Sequence, residues 1–112
     1  MAVLADARCG SSCEQFLLTV RQGVAVKLVG RSRSAGVLDY SNMRPFDLPS
    51  GTRRLWYATS RSNRLPALPL DGMGIAPDVY LPGPAPADAR ADIARVQRWL
   101  EGAAWTPDSK RP

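Results

Sequence analysis

The chain has 112 residues, 45% of them hydrophobic and 22% charged, a balance that fits one folded domain and excludes a wholly disordered chain. No run of eighteen apolar residues exists, which excludes a helical membrane span. The formal charge of +5 comes from thirteen arginines and two lysines spread along the chain; with no basic helix or aromatic platform, nucleic acid is not an expected partner.

In chain order, AVLA (Ala2 to Ala5) reads as a buried strand and Glu14 to Arg21 as a short helix. The helix carries Phe16, Leu17 and Val20 at helical spacing and stops at Gly23. VAVKLVG (Val24 to Gly30) alternates like a strand, with Val24, Val26 and Leu28 on one face. These thirty residues form a strand–helix–strand unit, most simply a right-handed crossover between parallel neighbours. RSRSAG (Arg31 to Gly36) is a polar connector, and VLDYSN (Val37 to Asn42) resumes an extended pattern.

Arg44 to Ser60 places the turn signal Pro49-Ser50-Gly51 between FDL and RLWYAT, which predicts a β-hairpin. Trp56 and Tyr57 then point to opposite faces, one toward a core and one toward solvent or a groove. Pro66, Pro69, Pro77, Pro82, Pro84 and Pro86 make the following stretch irregular, with at most a short strand at Asp78 to Leu81. Asp88 to Gly102 predicts an amphipathic helix with Ile93, Val96 and Leu100 on its apolar stripe, and residues 103–112 are expected as a flexible tail. The arginine pairs Arg31/Arg33, Arg53/Arg54 and Arg61/Arg64 read as solvated surface.

The most informative stretch is CGSSCEQF (Cys9 to Phe16), on a turn from strand to helix. Two cysteines spaced C-x3-C, with no histidine anywhere in the chain, do not complete a zinc site, and no metal or cofactor is expected. Cys9 and Cys13 read as buried free thiols, since a disulfide between them closes a very tight loop. Ser11 or Ser12 can serve as a helix cap, with Glu14 completing an S-x-x-E capping box. The same placement suits a nucleophile: amides at the turn can hold an oxyanion, and Gly10 allows a close approach. A nucleophilic serine needs a base, and the chain offers only Lys27, Lys110 and carboxylates. Lys27 reads as surface.

The ordered set VLAD-x3-GSSCEQF, VAVKLVGR, LDYSN, LPSGTRRLWYATS and DGMGIAPDVYLP, spanning about residues 2 to 101, resembles the carboxyl-terminal half of the tail-specific, or C-terminal processing, serine peptidases in their tricorn-like branch. The resemblance implies a crotonase-like (ClpP/crotonase) α/β domain, with Ser11 as nucleophile, Glu14 as the matching acid and the Ser12 amide in the oxyanion hole. Asp71 in DGMGIAPD matches the acid of a serine–histidine relay, aspartate standing where glutamate is usual, or else caps the Gly72 to Gly74 turn. Asp78 is expected to fix the turn after Pro77. The loop Gly30 to Gly36 lacks the lysine of a Ser–Lys dyad.

The histidine of the relay belongs to the family's amino-terminal half. Residues 1–102 are therefore expected as a truncated or split portion of a catalytic domain, inactive alone, needing that missing half and acting on polypeptide substrates. The opening MAVLADARCG shows no export signal. Apolar surface left for the missing half favours self-association. The competing expectation is a non-catalytic module of the same fold that binds an extended peptide along a strand edge.

Overall fold

A computed structural model describes residues 1–85 and 88–102; the expected tail at 103–112, Lys110 and Pro86 lie outside the described residues. The elements are β1 (Ala2–Leu4), α1 (Ser12–Val20), β2 (Lys27–Gly30), β3 (Tyr40–Asp47), β4 (Arg54–Arg61), β5 (Val79–Tyr80) and α2 (Arg90–Leu100). They make a small mixed α/β domain with two separate sheets: parallel β1-β2-β5, and the antiparallel hairpin β3-β4.

The central strand explains the core. β2 pairs with β1 through Val3↔Leu28 and with β5 through Val29↔Val79, parallel on both sides. Successive side chains leave opposite faces of a strand, so a strand covered on both faces buries consecutive residues. Leu28 joins Cys9, Leu17 and Ile75 on the α1 side. Val29, fully buried, joins Val79, Leu81 and Val96 on the α2 side, where Trp99 also packs.

The strand–helix–strand unit forms as expected, but β2 starts at Lys27, and Val24 is fully exposed. Gly23 ends the helix by donating to the Val20 carbonyl, and Val26 N–H bonds back to Gly23; residues 23–26 are thereby spent on a turn. The helical stripes are narrower than predicted. Leu17 is buried and Val20 packs against its cluster, but Phe16 is exposed; Val96 is buried while Ile93 and Leu100 are exposed.

The hairpin takes the predicted turn, closed by Leu48 N–H to Arg53 O and Gly51 N–H to Leu48 O. Its register runs from Tyr40↔Arg61 to Asp47↔Arg54. Neither Trp56 (55% exposed) nor Tyr57 (46%) enters a core, because among the described residues no other element packs extensively on either face of this sheet. Asp78 does more than fix a turn: Oδ2 accepts the Leu28 N–H at 2.8 Å and Oδ1 accepts from Arg21 at 2.5 Å, fastening β5 to β2 and to the end of α1.

Candidate functional site at the Ser11 turn

β1 runs into residues 5–11, and α1 starts at Ser12. In a parallel sheet this is the carboxyl edge, where ligands meet open α/β folds. Ser11 has φ 52° and ψ −115°, a conformation that disfavours side chains. It is nevertheless exposed, as is Ser12. Cys13 N–H is bonded to Gly10 O and Gln15 N–H to Ser11 O. The Ser12 N–H has no acceptor among the described residues, which leaves one amide at the positive end of α1 open beside the Ser11 hydroxyl.

Glu14, one turn into the helix, is fully buried. Its Oε2 accepts the Ser11 N–H at 3.1 Å and the Val37 N–H at 2.9 Å; Oε1 accepts the Ser34 hydroxyl at 2.5 Å and the Gly36 N–H at 2.7 Å. Burial pushes this carboxyl up, but the hydroxyl of Ser34 and the amides of Val37, Gly36 and Ser11 outweigh burial and hold it below the ordinary 4.5. Glu14 is thus a fixed anion under the turn. It clamps the 34–37 loop and positions Ser11, and it lies too deep to touch a substrate.

Gly10 is required here by packing. A Cβ at this position meets Val37 Cγ2 at 2.8 Å, and the strained φ belongs to Ser11. The 34–37 loop in turn crosses the 70–75 turn at backbone contact: a Cβ on Gly74 meets Ser34 O at 2.2 Å. Ser34 N–H to Ile75 O and Gly72 N–H to Gly36 O lock the crossing, and Arg33 donates to the carbonyls of Met73 and Gly74.

Asp71 is exposed and accepts the Asp39 N–H at 2.7 Å. The residue that receives the turn's amides is Asp39, whose Oδ2 accepts Leu70 N–H at 2.5 Å and Asp71 N–H at 2.8 Å. Asp39 is 1% exposed, and Arg64 lies 3.6 Å from its other oxygen. Burial raises its carboxyl, but the Asp71 and Leu70 amides and the Arg64 guanidinium bring it below 3.8. Ser11 and Asp71 thus flank one hydrogen-bonded framework, through Glu14, Gly36 and Gly72, without bonding each other. Asp39 was legible only as an acid in VLDYSN; its signal is that an aspartate among apolar residues must find donors when buried.

The cysteines are not free thiols. Cys9 and Cys13 form a disulfide, because the turn into α1 brings their Cα atoms to 5.2 Å, within bridging range. The bridge borders a cleft of about 850 Å³ lined by Leu4, Arg8, Arg31, Leu81 and Ile93 among others; Ser11 lies beside this cleft and does not line it. Arg31, expected in solvent, is only 17% exposed, pairing with Asp92 at 2.5 Å and donating to the carbonyls of Pro82 and Gly83. Lys27 is exposed at the opening of β2, level with Ala2, at the opposite end of the sheet from Ser11.

Neither a protein-family model nor a curated protein matches the chain. Among the described residues no helix is long and apolar enough to cross a membrane.

Proposed function

We propose that Ser11 is the nucleophile of a serine-type endopeptidase related to the tail-specific, C-terminal processing family, in a crotonase-like fold, acting through an acyl-enzyme on polypeptide substrates. The observation that carries this reading is a serine held exposed at φ 52° on a strand-to-helix turn, with Glu14 buried three residues on and bonded to its amide. A strained turn that presents a hydroxyl at a helix start is how nucleophiles are aimed above α/β sheets. Gly10 permits the packing that sets the turn, the Ser12 amide supplies an oxyanion donor, and Asp71 stands on the same framework to orient a base.

The base is the missing group. The chain has no histidine, and Lys27 is at the wrong end of the sheet. Without general-base help, worth ~10²–10⁴-fold, the hydroxyl is a weak nucleophile, so this reading has a histidine-bearing amino-terminal half complete the site. Treating the chain with a fluorophosphonate probe, alone and mixed with such a half, tests it. The expected result is labelling in the mixture only, abolished by Ser11→Ala. Labelling in the mixture that survives Ser11→Ala, or none in any mixture, removes the assignment.

A further inference from the structure

We infer that the free edge of β4 is a docking strand for an extended polypeptide segment that alternates acidic and apolar side chains. Among the described residues the β3-β4 sheet has two strands, and no third strand pairs with either outer edge; an isolated two-stranded sheet is marginal in water. The two edges differ. Pro45 deletes a donor from β3, whereas β4 keeps every amide from Arg54 to Arg61. β4 also holds Leu55, Trp56, Tyr57 and Thr59, types favoured in strands, and carries neither a proline nor a lysine to block pairing.

Charge decides what kind of strand fits. One face sets Phe46 opposite Leu55 and Arg44 opposite Tyr57; the other sets Pro45 opposite Trp56 and Met43 opposite Ala58. Arg54 is neutralised by Asp47 at 2.5 Å, but Arg44, Arg53 and Arg61 have no carboxylate partner among the described residues. Between Tyr40 and Arg61 stand four arginines and one aspartate. Arg53 directly precedes β4 and Arg61 ends it, and Arg44 lies one strand behind, opposite Tyr57; a second copy brings the same unpaired positive charge, and a nucleic acid lacks the amide and carbonyl ladder that an open strand requires. A polypeptide with carboxylates supplies both complements.

The inference is independent of the chemistry at Ser11. Fluorescence anisotropy with a labelled Glu-Val repeat peptide of about ten residues tests it on the whole chain, against a Lys-Val repeat and oligothymidylate. The expected outcome is Glu-Val binding at least about tenfold tighter than Lys-Val. Methylating alternate peptide nitrogens on one edge abolishes it, and hydrogen exchange slows across residues 54–61 on binding. Arg44→Glu with Arg61→Glu, both exposed, weakens Glu-Val binding by about tenfold with far-UV circular dichroism unchanged. Equal affinity for the two peptides, binding indifferent to N-methylation, displacement by oligothymidylate, or a concentration-dependent dimer that protects residues 54–61 without peptide each overturns it.

Discussion

The parallel sheet and the hairpin are built from similar residues and end in opposite states. β2 buries Leu28 and Val29 completely, one on each face, because helices lie on both sides. β4 leaves Leu55, Trp56 and Tyr57 about half exposed, because no other element among the described residues packs extensively on either side. Apolar content therefore does not by itself make a core; the connections must bring a second layer. The crossover through α1 does so for β2, whereas a hairpin returns the chain to its start and covers nothing.

The contrast is tested most severely at Glu14. Glu14→Ala strands the Ser34 hydroxyl and the buried amide of Gly36, and is expected to cost about 3 kcal/mol or more in chemical denaturation; a loss under 1 kcal/mol removes Glu14 as the clamp of the parallel half. Acid provides the same test without a mutation. Glu14 and Asp39 are both depressed in the native state, so their contribution is fully present above the ordinary carboxylate values and is lost as pH falls through the native ones. Melting temperature should hold near neutrality and fall below about pH 4.5, with the Glu14→Gln variant showing a shallower fall.

A smaller effect is expected at Ser11. Ser11 is the N-cap of α1 and forms the capping box with Glu14; glycine adopts φ 52° without strain but gives up the hydroxyl's share of that box, so Ser11→Gly should change stability by less than about 1 kcal/mol. A loss well above that shows the cap to outweigh the strain. The least effect belongs to the hairpin: Trp56→Ala should change unfolding free energy by under about 0.5 kcal/mol, as exposed positions do. A loss of several times that places the hairpin in a packed interior.

What the sequence discloses follows from which forces are local. The α1 and hairpin turns were legible because Gly23 and Pro49-Ser50-Gly51 act within a few residues. Arg31 shows the opposite case: it looks solvated in RSRSAG, yet its side chain is 17% exposed because its acceptors lie far along the chain, Asp92 among them; Arg33 is exposed as expected, with acceptors at Met73 and Gly74. Asp39 hid likewise, its donors at Leu70 and Asp71. The disulfide turned on backbone direction at Gly10 and Ser11, which spacing alone does not fix. S-x-x-E by itself discloses a capping box at Ser11 and Glu14, the further roles resting on the resemblance of the ordered motifs, and the buried four-donor seat of Glu14 depends on Ser34, Gly36 and Val37 arriving from another segment.

The hairpin leaves and re-enters the domain at one point, since Ser62 N–H donates to Asp39 O at 2.8 Å. An excursion whose two ends are already tied can be excised and its stumps joined by a short bridge, or replaced by a foreign loop, with the Ser11 turn retained. The domain thereby offers a ready graft site, and its trimmed form would separate whatever the projecting ribbon recruits from whatever the serine does.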